Sequence, residues 1–558
     1  MRRILPGVAI LLGALACRGD DSSSANDSEY GGTLVISTGA DAAGLMPPVI
    51  RTIQENTVVD IIFERLAEPG MSLNSVGDED FTPELAESWE WSEDSLSIAF
   101  SLLPGAHFHD GHPVTARDVA FTYDVYTDPR TASAESELLA QVDSVTVRDS
   151  MTVVFWFARR YPQQFFDATY HMRILPEHVL RDVPRRELAS GEFARHPIGS
   201  GQFKFARWDP GALIELHADT THARGRPYLD RIVWTITPDH AASMTRILAR
   251  DADFLEQVTA DKFAELATRP DLTLARYPSL DLAYLQFNLR DPRSPNGSHP
   301  IFGNRMLRRA IAMGIDRDTL VERIFDSLAI VPAGPFTRAL ATADPTIPQI
   351  PHDPAQARKI LDSLGWRDRN GDGVRERNGR PLRFTIATPS TSQNRYRMAI
   401  LVQDMLDDLG VRVDVQQMDI NPFMSHALSR TFDVLFSATH YDPSPASIRQ
   451  SWTSSGARED GGNFGSYRNP VFDRIVDTAS TEMLAERSNA AYGRAYATIV
   501  ADAPAIWMYE IVNYAVHNNR VQPAPMRADA WWANIGQWKI APDGRLPRDG
   551  GGEARAAN

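Results

Sequence analysis

Short apolar runs and helix-length amphipathic stretches take turns along almost the whole of this chain, and that alternation restricts its fold more than any other feature. The run Leu34-Val35-Ile36-Ser37, bounded by Gly31-Gly32-Thr33, reads as a buried strand, 39–48 as a loop and 52–68 as a helix. Leu96, Ile98 and Phe100 alternate with Ser95, Ser97, Ala99 and Ser101, so 89–103 is expected as a strand ending at the turn Pro104-Gly105. Thr115 and Asp118 have the spacing of a capping box and open a helix over 116–126. Two strands are expected at 142–147 and 152–157. Further helices are expected at 241–251, 305–313, 317–325, 354–365, 396–409 and 470–479, and strands at 383–387, 412–416 and 433–437. Gly365 and Gly410 stand where helix-ending glycines belong. The expectation is an α/β architecture with largely parallel sheets and no internal repeat.

Composition narrows the function. A chain of 558 residues allows about three domain-sized units. With 43% apolar and 23% charged residues it is neither disordered, nor fibrous, nor a polytopic membrane protein. Lys and Arg number 57 against 72 Asp and Glu, and the net charge of −15 repels phosphate backbones, so no nucleic-acid partner is expected.

The single cysteine, Cys17, permits no internal disulfide. It follows Arg2-Arg3 and the apolar stretch 4–16, which is shorter than the roughly 20 residues that span a bilayer and of signal-peptide length. Ala14-Leu15-Ala16-Cys17 resembles a bacterial lipoprotein signal, with Ala14 in place of the usual Leu and Leu15 in place of a small residue. The expectation is a 1–17 signal or lipoprotein peptide, an 18–29 flexible tether, and Cys17 lipidated after cleavage. An ordinary secretory signal that discards Cys17 is the alternative. Both export the protein.

Residues 83–124 contain Pro-Glu-Leu-Ala-Glu-Ser-Trp, then Leu-Ser-Ile-Ala-Phe-Ser-Leu, then Pro-Gly-Ala-His-Phe-His-Asp-Gly-His-Pro-Val-Thr-Ala-Arg-Asp-Val-Ala-Phe-Thr-Tyr-Asp. In this order they resemble the signature of the family 5 extracellular solute-binding proteins, the peptide- and nickel-type receptors of ABC importers. Further landmarks are Ile198-Gly199-Ser200-Gly201, Tyr284-Leu285-Gln286-Phe287-Asn288, the 305–318 and 353–372 segments, 463–473 and 503–509. The resemblance runs from about 31 to about 521. It implies a two-lobed periplasmic-binding-protein fold of type II with an extra subdomain in the first lobe. Lobe I would comprise 30–67, 196–283 and 506–548, the subdomain 68–195, and lobe II 284–505. A solute would bind between lobes that close by a hinge motion, and the closed form would dock on a membrane permease. The resemblance implies neither covalent chemistry nor a cofactor.

Several constellations of chemically active residue types have simpler structural readings. His107, His109, His112 and Asp110 form a dense cluster of metal-ligating types, but alternate side chains on an extended stretch face opposite ways and Asp110-Gly111 suits a turn. No metal site is therefore expected there. The 368–373 segment starts like a calcium loop, yet Gly379 stands where the bidentate Glu belongs, so a hairpin is expected. Gly199-Ser200-Gly201 lacks the third glycine of a dinucleotide loop, with Lys204 in its place.

For the solute, the informative stretch is His440-Tyr441-Asp442-Pro443, expected at the carboxyl end of a strand, where α/β folds bind ligands. In peptide-binding relatives an Asp precedes the Tyr and pairs with the peptide α-ammonium. Here His440 takes that place, with Asp442 as a possible substitute. Asp41, Trp452, Asn463 and Tyr467 complete the expected ligand-binding set. Trp531, Trp532 and Trp538 are expected to dock the carboxyl terminus onto lobe I. The whole reads as an exported, monomeric, lipid-anchored binding protein of an ABC importer, at the periplasm or cell surface, that captures an oligopeptide or similar solute. Receptors for a nickel chelate or an oligosaccharide, a sensory role, and an exported hydrolase are the alternatives.

Overall fold

The computed structural model describes residues 29–550 except 446, 459 and 460. The 1–17 segment with Cys17, and all but the last residue of the 18–29 tether, lie outside the described residues.

One eleven-stranded sheet runs through both halves of the molecule. From one edge its order is Arg412–Met418, Arg383–Pro389, Val434–His440, Leu272–Phe287, Ala505–Asn518, Phe254–Leu255, Thr33–Thr38, Arg231–Ile236, Leu213–Ala218 and Phe203–Asp209, with Ala329–Ile330 also beside Ala505–Asn518. Leu272–Phe287 and Ala505–Asn518 have 16 and 14 residues, well above the usual five or six. They are long because they belong to both halves. Leu272–Pro278 pairs with the end of Ala505–Asn518 in one half, while Asp281–Phe287 also pairs with Val434–His440 in the other. Their register breaks between Pro278 and Leu282 and again between Ala283 and Tyr284.

The expectation of largely parallel sheets is corrected. Four strand pairings of this sheet are parallel, those of Thr33–Thr38 and of Arg383–Pro389 with their neighbours. The rest are antiparallel, because the chain leaves the first half on one long strand and returns beside it on the other.

The apolar interior follows the same division. One cluster joins Leu34, Phe63, Phe100, Phe155 and Trp538. Another joins Leu285, Ile311, Val402 and Phe436, and a third gathers Trp452, Tyr492, Tyr496 and Trp507. A separate antiparallel sheet, Ala86–Trp91, Ser97–Leu102, Thr152–Phe157 and Val142–Asp149, packs with the helix Ala116–Thr127 within the first cluster. The Thr115–Asp118 capping box is present at that helix.

Three local expectations change. The stretch 89–103 is two strands of a hairpin, because Ser95 turns the chain at φ 55° and Asp94 caps the Leu96 amide. The helix expected over 52–68 ends at Ile62, with Phe63 extended. Its last carbonyls meet the 199–201 backbone instead: Gly201 N donates to Ile62 O at 2.8 Å. A Cβ at Gly199 would lie 2.0 Å from Ile62 O, and one at Gly201 2.4 Å from Ile61 O, so both glycines answer a close approach of two backbones. Finally, the 18-residue helix Ala485–Asp502 was not expected, although its buried residues Ala491, Tyr492, Ala495, Tyr496, Ile499 and Val500 recur at helical spacing.

Among the described residues no helix is long and apolar enough to cross a membrane.

Candidate functional site: a cleft at the seam

The segment after Val434–His440 lies beside the register break of the long strands, and Tyr441 N donates to Leu280 O at 2.8 Å. A cleft of about 330 Å³ opens there. One side is His440, Tyr441, Asp442 and Pro443. The opposite side comes from the helix Ile53–Ile62 with Asn56 and Asp60, from Arg65, Tyr170, His171 and Arg173, and from Asp529 and Trp532.

That opposite side is tied tightly together. Asp60 Oδ1 accepts from Arg65 at 2.9 Å and from Arg173 Nε at 2.7 Å, and its Oδ2 accepts from Trp532 Nε1 at 3.0 Å. Burial works against its charge, but the two guanidinium groups outweigh that and bring its pKa down to about 2. Asp529 is held by Arg527 and accepts from the Tyr170 hydroxyl at 3.0 Å. Trp532 thus does more than dock the carboxyl terminus; it also lines the cleft.

Asp442 is different. Its Oδ1 accepts from Ser444 N at 2.8 Å, and among the described residues no arginine or lysine pairs with it. Burial raises its pKa, His171 offsets this in part, and the nearby carboxylates of Asp167 and Asp529 add to the rise. The cleft therefore holds a carboxylate without a cation. His440 Nδ1 meets Asp281 Oδ1 at 3.0 Å, and that hydrogen bond raises the imidazole pKa.

The remaining expected residues lie elsewhere. Asp41 accepts from Ala42 N, from Trp208 Nε1 at 3.0 Å and from Gly211 N at 2.7 Å, tying its loop to the turn of the 203–218 hairpin. Trp452 and Tyr467 are buried in the third apolar cluster, Trp452 at 5.0 Å from the Trp507 ring and the Tyr467 hydroxyl on Asp502 at 2.7 Å. Asn463 braces its own loop, donating to Thr453 O and Tyr467 O and accepting from Tyr467 N. Tyr441 lines the cleft although its ring packs in the same cluster. The structure thus brings together His440, Tyr441 and Asp442 and places Asp41, Trp452, Asn463 and Tyr467 outside the cleft lining. Sequence reasoning missed Asp60, Arg65, Tyr170, His171, Arg173 and Asp529, which no local spacing connects.

The other constellations resolve locally. Asp368 accepts from Gly371 N and Gly373 N, so its carboxylate shapes the hairpin turn. His107 bonds Thr221 O. His109 donates from Nε2 to Gly201 O at 2.9 Å and accepts from Gly199 N on Nδ1. Burial brings the imidazole pKa down to about 4, against the hydrogen bond to Gly201, which raises it. Asp110 and His112 are joined instead by His178.

Residues 80–460 match the model of the bacterial extracellular solute-binding proteins, family 5. The chain belongs to this family. This family 5 protein is 26% identical to the oligopeptide-binding protein AppA of Bacillus subtilis (strain 168), over 97% of this chain and 98% of that protein. Its fold superposes on AppA of Bacillus subtilis in complex with a nonapeptide with a TM-score of 0.70, at 24% identity, covering 92% and 99% of the two chains. HbpA2 from Haemophilus parasuis superposes with a TM-score of 0.78 at 19% identity, covering 91% and 100%. The two-lobed type II binding-protein fold is thereby established, and the chain is an extracellular-type solute-binding protein.

Proposed function

We propose that this protein captures an oligopeptide, or a solute that like a peptide carries a free ammonium group, between its lobes and delivers it to the permease of an ABC importer. The observation that carries the reading is Asp442: a partly buried carboxylate that lines the cleft and has no cationic partner among the described residues. An ammonium entering the cleft would supply that partner, and a charge-assisted hydrogen bond is strong where water is excluded. His440, engaged with Asp281, does not offer an anchor of that kind.

Lobe I is 30–67, 196–283 and 506–548, its subdomain 68–195, and lobe II 284–505. The register break at 278–284 supports a hinge there, since a bulged ladder bends more easily than a regular one. Asp41, Trp452, Asn463 and Tyr467 act by holding loops and core around the cleft. Binding and release need no covalent step, so the protein is a receptor and not an enzyme. It acts as a monomer and is held at a membrane surface through a lipid on Cys17.

Native mass spectrometry of the freshly purified protein should reveal a co-purifying peptide, and calorimetry with that peptide should measure its affinity. Turnover of the peptide, or a bound solute with no ammonium group, would overturn the reading. Replacing Cys17 by Ala should move the protein from the membrane fraction to the soluble fraction; an unchanged distribution would remove the anchor.

A further inference from the structure

We propose that Asp110, His112 and His178 form a binding site for one divalent transition ion of the zinc or nickel type, at the surface of the 68–195 segment and apart from the solute cleft. The three side chains each present one ligand atom, and these atoms all lie within 4.8 Å of one another. His178 Nε2 is 2.7 Å from Asp110 Oδ2, and His112 Nδ1 is 3.3 Å from Asp110 Oδ1. The two imidazoles stack with centroids 4.0 Å apart and planes 24° from parallel, and each has a nitrogen near the same carboxylate. None of the three lines the cleft at the seam.

The mounting is firm on both sides. The turn that carries Asp110 and His112 is closed by Phe108 N on His112 O and Gly111 N on Phe108 O, and His112 N donates to Asp110 Oδ1. Gly111 sits at φ +90°, a conformation that the turn requires and that other residues rarely adopt. His178 lies on the short helix Glu177–Leu180, whose first amide is held by Asp118. Its ring rests near Phe108, with centroids 5.7 Å apart. Zinc bonds imidazole nitrogen and carboxylate oxygen at roughly 2.0–2.2 Å, which puts ligand atoms of a tetrahedral site about 3.5 Å apart. Binding requires side-chain rotations that bring the ligand atoms from within 4.8 Å of one another to that spacing.

The donor set also selects the ion. Two imidazoles and one carboxylate suit zinc, nickel or copper, whereas calcium and magnesium prefer oxygen shells. The side chains of His112, Asp110 and His178 are 60%, 27% and 26% exposed, so an ion can enter from solvent and complete its coordination with water. A bound ion would clamp the 108–112 turn to the helix Glu177–Leu180.

The test uses protein without a polyhistidine tag, stripped by chelator and titrated with zinc chloride by calorimetry. The expected result is about one zinc per chain in the micromolar range, with no competition from magnesium. Zinc binding should weaken at least tenfold in His178→Ala and in His112→Ala, and remain unchanged in Asp442→Ala. Circular dichroism confirms that each variant is folded. His112 is the most exposed of the three, so His112→Ala decides the matter if His178→Ala fails to fold. Absence of zinc binding in the wild type into the millimolar range would overturn the proposal, as would undiminished binding in a folded His112→Ala variant.

Discussion

Asp60 and Asp442 line the same cleft, yet their surroundings push them in opposite directions. Asp60 is met by two arginines and an indole; its pKa falls to about 2. Asp442 has one backbone amide and carboxylate neighbours, and its pKa rises. The first wall is balanced by its own residues, while the second is not. A carboxylate whose charge is already balanced holds structure together. One whose charge is unbalanced lowers stability until a cation arrives.

The largest effect should come from the completed wall. Asp60→Ala removes the carboxylate shared by the buried Arg65 and Arg173, leaving Arg65 on Glu68 and Arg173 with only the neutral Asn56, and should cost about 3–5 kcal/mol of unfolding free energy by denaturant titration. A loss under about 1 kcal/mol would break the comparison. Asp41→Ala removes three hydrogen bonds and should cost about 1–3 kcal/mol, with peptide affinity unchanged. An affinity drop there would return Asp41 to the binding set. Asp442→Ala should weaken peptide binding at least tenfold, ~1.4 kcal/mol, while stability holds or rises.

The smallest effect is in pH. The unfolded pKa of an Asp is about 3.9. Asp442 titrates above that value when folded, so between the two pKa values the native state holds more protons than the unfolded state. Its contribution to stability therefore grows as pH falls through that window. Asp60 titrates below its unfolded value, so its contribution is fully present above about pH 4 and is lost as pH falls toward 2. Peptide affinity should decline on acidification already in the Asp442 window, before Asp60 is protonated. Affinity that stays level until pH 2 would show that Asp442 is not the anchor. Comparing wild type with Asp442→Asn isolates its share of both curves.

Much of the fold was legible in the chain. The strands at 34, 383, 412 and 434 and the helices Arg305–Met313, Arg317–Phe325 and Pro470–Ala479 stand where the pattern put them, because one buried face imposes its period on the residues. The Gly199–Gly201 motif was visible as a landmark, but its reason, the Ile61 and Ile62 carbonyls, lies more than 130 positions away. The same limit hid the two crossing strands. Leu272–Phe287 is buried on both faces over its second half, which erases the alternation that marks a strand with one wet face.

By itself, then, the sequence determined the α/β character, the family and the candidate segment 440–442, since these rest on local period and on an ordered set of short motifs. Only the tertiary structure decided which carboxylates matter. Asp41 and Asp442 both follow a strand and look alike in one dimension. Trp208, from 167 positions away, satisfies the first, and no arginine among the described residues reaches the second. Charge balance is set by neighbours in space, and a carboxylate's role follows from that balance.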